Sequence, residues 1–178
     1  MPHTPILASH APIGHPIFRG FLVHNGAVGL PAVTHGGAMD QEFDTMQLPS
    51  APDAIAPDGS DVRILLQLAR GSMAHFELGA GRVSRAVAHH SVQEIWYILH
   101  GPGQMWRRQA GRQETVPLRS GTCVSIPAGT HFQFRADGSG PLAAIGVTMP
   151  PWPGPDEAFE VPGAWPADPP SVDDRAAR

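Results

Sequence analysis

From residue 61 to residue 149, short runs rich in Val, Ile, Leu, Phe and Thr alternate with turn signals. VRILLQL is followed by ARG, SMAHFEL by GAG, EIWYIL by HGPG, TCVSI by PAG, and FQFR by ADGSGP. Each run has the length of a strand, and the punctuation leaves no room for a helix of ordinary length. Twenty glycines and twenty prolines point the same way, because helices are broken by both while turn-rich sheet proteins use them. The expectation is an all-β sandwich or barrel.

The flanks have a different texture. Residues 1–50 sustain neither helical nor strand periodicity and read as a poorly structured N-terminal extension. Residues 51–153 read as the barrel. Residues 154–178 read as a Pro-rich wrapping segment and disordered tail, since PPWPGPDEAFEVPGAWPADPP has too few N–H groups for a central strand. Trp152 and Trp165 are its expected apolar anchors. A chain of 178 residues suits one domain.

The net charge of -4 arises from dispersed charges, and every basic residue is arginine. That excludes a clustered cationic footprint for nucleic acid or a polybasic membrane patch. No apolar run approaches the ~20 residues that span a bilayer, and no leader pattern opens the chain, so a soluble cytoplasmic protein is expected. The single cysteine, Cys123, sits in a strand-like run and reads as a buried thiol.

The stretch AHHSVQEIWYILHG, residues 88–101, carries the chemistry. Strand alternation groups Glu94 with Trp96 and Ile98, against Ile95, Tyr97 and Leu99. In HFQFR it groups Phe132 with Phe134, against His131, Gln133 and Arg135. Burying two phenylalanines is worth roughly 3–6 kcal/mol, so the aromatic face points inward and His131 outward. Histidine and glutamate on adjacent strands can converge on a barrel interior, where imidazole and carboxylate suit Zn, Fe, Mn, Ni or Cu.

These residues resemble the two motifs of the cupin superfamily, G(X)5HXH(X)3–4E(X)6G and G(X)5PXG(X)2H(X)3N. Glu94 and Gly101 match the end of the first, with His90 three residues or His89 four residues before the glutamate. Gly121, Pro127 and Gly129 match the second. The resemblance covers residues 61–149 and implies a single double-stranded β-helix (cupin/jelly-roll) barrel. It also implies a metal held by three histidines and a glutamate, from which this chain departs. The first histidine is replaced by Ala88 or Val87, depending on register. Phe132 stands where the second motif has histidine, with His131 one residue early, and Ala136 stands for its asparagine.

The leading expectation is therefore a small-molecule-binding cupin. Glu94 looks into a closed barrel, and an aromatic pocket is lined by Glu94, Trp96, Phe132, Phe134 and one of His89 or His90. One divalent transition metal ion, if held, meets an incomplete set of ligands. The alternative is a metal-dependent enzyme of oxygenase or isomerase type using His89 or His90, Glu94 and His131. A further alternative is metal-free catalysis with Glu94 as general acid or base. The resemblance also implies a homodimer.

Overall fold

The computed structural model describes residues 43–169, so most of the expected N-terminal extension and the end of the tail lie outside the described residues. Eleven strands follow in order: β1 (Ala54–Ile55), β2 (Asp61–Leu68), β3 (Gly71–Leu78), β4 (Val87–His89), β5 (Gln93–His100), β6 (Gly103–Gln109), β7 (Arg112–Leu118), β8 (Cys123–Ile126), β9 (His131–Ala136), β10 (Leu142–Met149) and β11 (Ala158–Glu160). A single 3-10 turn, Pro155–Glu157, is the only helical element among the described residues.

The strands form two antiparallel sheets, ordered β1-β2-β3-β10-β5-β8 and β11-β4-β9-β6-β7. Alternation places one face of each sheet against the other. Trp96, Ile98, Val124, Ile126 and Leu142 from the first sheet meet Val87, Met105, Leu118, Phe132 and Phe134 from the second. Phe76 stacks on Trp96 with centroids 5.0 Å apart, and Trp96 meets Phe134 edge-on at 5.1 Å. Gly146 makes this stack possible: a Cβ there would lie 2.6 Å from the Phe76 ring.

The expected closed barrel is corrected to two open sheets, whose seams are crossed by isolated hydrogen bonds instead of ladders. On one side Arg107 donates to the Ser125 carbonyl at 2.6 Å and Gln109 to the Ala128 carbonyl at 3.0 Å. On the other, Arg85 donates its amide to the Asp58 carbonyl and its Nε to the Pro57 carbonyl. Guanidinium and amide groups can satisfy carbonyls across a gap too irregular for strand pairing.

The C-terminal segment wraps the outside of the second sheet and contributes only the short edge strand β11, paired with β4. Two polar residues hold it. Glu157 accepts from the Ser91 and Val92 amides at 2.6 and 2.7 Å, clamping the β4–β5 turn. Gln133 donates to the carbonyls of Ser84 and Trp165 and accepts from the amides of Ala164 and Trp165. Alternation puts Gln133 on the outer face, where this segment buries it. Trp165 itself lies under the Arg135 guanidinium, 4.5 Å from its ring centroid. Cys123, expected buried, is exposed, because β8 is an edge strand and Cys123 faces out beside Tyr97.

Candidate functional site

Glu94, near the start of β5, projects between the sheets and is 3% exposed. Its Oε2 accepts a hydrogen bond from Trp96 Nε1 at 2.5 Å. Burial pushes its carboxyl up to about 7, with the indole hydrogen bond opposing and the Asp58 carboxylate adding to the rise. No cation neutralises it among these influences. Its cross-strand neighbour is Thr148, whose hydroxyl meets that of Ser72 at 2.5 Å.

His89 ends β4 and faces Glu94, with Nδ1 3.8 Å from Oε1, beyond hydrogen-bond distance. It is 5% exposed, and Nδ1 is a buried atom without a partner. Burial pushes the imidazole down to about 4, against a smaller opposing pull from Glu157, so His89 is neutral at pH 7. Phe132 and Trp152 meet its ring edge-on, at 5.3 and 5.2 Å.

Sequence reasoning placed Trp96, Phe132 and Phe134 around this acid. Trp96 holds its carboxylate and Phe132 touches the imidazole, whereas Phe134 packs behind Trp96. The other two histidines are elsewhere. His90 is exposed and stacks on Phe159 at 4.4 Å. His131 lies on the outer face with Nδ1 2.9 Å from an Arg108 Nη, whose charge, after burial, helps lower its pKa.

The donor set tests the metal site that the resemblance implies. His89 and Glu94 offer one nitrogen and one carboxylate. The two neighbouring positions, Val87 and Phe132, face each other directly across β4 and β9 and carry no donor atom. Among the described residues no group of three or more His, Cys, Asp or Glu side chains is arranged to hold a metal ion. The structure brings His89 and Glu94 together and leaves His90 and His131 apart from them. A one-residue offset in a strand sends His131 to the opposite face. Among the described residues, His89 and Glu94 alone do not make up the ligand set of a resident transition metal.

Three contributors escaped sequence reasoning. Trp152 was expected only as an anchor, yet its half-buried ring covers His89, and its amide donates to Ser72 Oγ at 3.0 Å. Thr130 is 3% exposed with an unpartnered Oγ1. It lies in the turn before β9, where its amide donates to the Pro127 carbonyl at 3.0 Å. Glu157 sits one element away, and nothing in its local sequence announces its long-range role. Although burial opposes it, hydrogen bonds from Ser91 and Val92 hold its carboxyl below the usual range.

Two facing antiparallel sheets enclosing an acid and an imidazole define a double-stranded β-helix protein of the jelly-roll class. The family model described as "Cupin domain" matches residues 74–148, and over this stretch the chain is similar to that family. No curated protein matches the chain. Among solved structures, it is similar to Streptomyces PAC13 with uridine, at 11% identity and TM-score 0.52, covering 67% of this chain and 92% of that one. It is similar to an uncharacterized conserved protein with a double-stranded β-helix domain from Klebsiella pneumoniae, at 12% identity and TM-score 0.51, covering 68% and 100%. A third is the capsular polysaccharide assembling protein CapF from Staphylococcus aureus, at 15% identity and TM-score 0.51, covering 57% of this chain and only 32% of CapF. At such identities the likeness is one of fold.

Proposed function

We propose that this chain is a small-molecule-binding cupin whose recognition centre is the Glu94–His89 pair, with Trp96, Phe132 and Trp152 as its apolar surroundings. One observation carries the reading. A carboxylate and an imidazole nitrogen face each other inside the fold, too far apart to satisfy one another, and among the described residues no cation or third metal ligand completes them. Leaving such groups buried costs stability, so their retention favours a ligand that pairs with them. A thermal-shift screen of small organic metabolites tests it, since a ligand selective for the native state raises the melting temperature. Glu94→Gln should erase the shift of any hit; shifts that persist in this variant would place binding elsewhere.

A second reading has a specific observation behind it. A carboxyl titrating at about 7 beside a neutral imidazole is suited to general acid or base chemistry near neutral pH. Under this reading Glu94→Gln abolishes turnover of a bound ligand while binding persists.

The expected homodimer also belongs to this proposal. On the outer face of the first sheet, Met73, Val147 and Ile95 are aligned across β3, β10 and β5, with Ile145 and Tyr97 in the next row. Ile95 and Tyr97 are each about half exposed. Four strands of 8 residues, β2, β3, β10 and β5, flanked by the shorter β1 and β8, offer about 600 Å² at ~3.3 Å per residue and ~4.8 Å per strand, against the ~800 Å² per partner of a standard interface. A second copy is the occupant that this self-complementary apolar face suits. Light scattering should give twice the chain mass, and Tyr97→Glu should give the monomer; a monomeric parent protein would refute the pairing.

A further inference from the structure

Glu94 and His89 are 3% and 5% exposed, so a ligand reaches them only if part of their cover moves. Two rings close on His89. Phe132 belongs to β9, faces the core and is 1% exposed, which leaves it no room to swing. Trp152 is half-buried and stands just beyond the end of β10. Its amide donates to Ser72 Oγ on β3 of the first sheet at 3.0 Å, while its ring reaches His89 on β4 of the second, centroid to centroid 5.2 Å. Trp152 therefore bridges the two sheets at the end that holds Glu94, whose cross-strand neighbour Thr148 bonds the same Ser72 hydroxyl.

The backbone that carries this ring is held loosely between two firm anchors. Residues 150–156 read PPWPGPD, so four of the seven lack an N–H. Among the described residues, the hydrogen bond that joins this stretch to the sheets is the one from the Trp152 amide to Ser72. Before it, Met149 lies in the β10 ladder opposite Gln93. After it, Glu157 clamps the Ser91 and Val92 amides and β11 pairs with β4. A stretch with so few backbone hydrogen bonds opens locally at low cost while its anchors stay closed. Gly154, toward its far end, has φ 145° and ψ −179°, a conformation that is essentially glycine's alone. A Cβ there would meet nothing within 4 Å, so this glycine serves the backbone conformation and not packing. Residues 153–157 border an open hollow, which leaves the stretch space to move.

We infer that residues 150–156 form a gate over the Glu94–His89 centre, with Trp152 as its shutter, Gly154 as its hinge and the Glu157 clamp as its fixed post. This inference rests on the small-molecule reading of that centre and adds how a ligand enters it.

The test follows access to His89 in the full chain with diethyl pyrocarbonate, which acylates neutral imidazole, mapped residue by residue by mass spectrometry at pH 7. His89 is neutral there, and the exposed His90 on the neighbouring turn is the internal reference. In the parent protein His89 should react about tenfold or more slowly than His90, at a rate that stays flat in low urea, because a local opening exposes little surface. Trp152→Ala should bring His89 to within about threefold of His90. Gly154→Ala strains the closed backbone without touching the site and should speed His89 by about tenfold, with the Ser91 and Val92 amides still protected from hydrogen exchange. Circular dichroism and melting curves confirm that both variants fold. A parent His89 rate that climbs with urea in step with global unfolding would overturn the gate, since access would then need the whole fold to open. An unchanged His89 rate in Gly154→Ala would also overturn it, as would a faster rate that appears only together with exchange at Ser91 and Val92, because the clamp would then be the moving part. The reagent reports access without a ligand, so the two readings fail separately: an empty metabolite screen over a gate that opens removes the ligand reading, and a hit beside a His89 that fails these tests removes the gate.

Discussion

Replacing Glu94 by Gln should stabilise the protein progressively, relative to the parent, as pH rises toward 7. In the folded chain burial raises the carboxyl from its ordinary value of 4.5 to about 7. The unfolded chain therefore gives up this proton first. Stability supported by the bound proton is complete below pH 4.5 and is lost as pH rises to about 7, at about 1.4 kcal/mol per unit. Over that interval the loss reaches about 3 kcal/mol. His89 runs the opposite way. Its pKa is lowered from 6.5 to about 4, so its contribution is present above 6.5 and is lost as pH falls toward 4. Between pH 4.5 and 6.5 the two slopes largely cancel in the parent protein.

Glu94→Gln keeps the shape and removes one slope. The stability difference, variant minus parent, should therefore increase by about 3 kcal/mol between pH 4 and pH 8, whatever constant offset the altered Trp96 bond introduces. Contributions from Asp58, Glu157 and the other titrating groups are common to both proteins and drop out to first order. Urea unfolding followed by tryptophan fluorescence at half-unit pH steps measures the difference. A difference that does not change with pH would refute a protonated, desolvated Glu94.

Phe132→Ala should destabilise the fold by about 3–5 kcal/mol, because a ring 1% exposed is removed from between Trp96 and His89; chemical denaturation measures it. Gly146→Ala should cost about 1–3 kcal/mol by the same assay, since its methyl would collide with the stacked Phe76 ring. Gln133→Leu strands four backbone groups, and hydrogen exchange should accelerate at Ala164 and Trp165 while β6 and β9 stay protected. Glu157→Gln should speed exchange at the Ser91 and Val92 amides. With its lowered carboxyl pKa, the parent clamp is present above the usual carboxylate range and weakens as pH falls through it.

The period of two carried most of the fold. It placed Glu94, Trp96 and Ile98 on one face of β5 and Phe132 and Phe134 on one face of β9, because a strand with one buried side has no freedom to do otherwise. Alternation could not show that Gln133, correctly assigned to the outer face, would be buried there. Its partners Ala164 and Trp165 lie some thirty residues away in a Pro-rich segment with no period of its own. The open seams were equally hidden, since closure depends on strand stagger, and here Arg107 and Arg85 cross gaps that no ladder spans. His89 over His90 became decidable only when β4 was seen to end at residue 89, leaving His90 in the turn.

The most direct test of the Glu94–His89 centre is a carboxyl-carbon NMR titration of the protein labelled at glutamate side chains, with Glu94→Gln used to assign the resonance. A midpoint for Glu94 at about 7 is predicted. A midpoint at the ordinary carboxylate value would mean that the group sits in water, and the site described above would not exist.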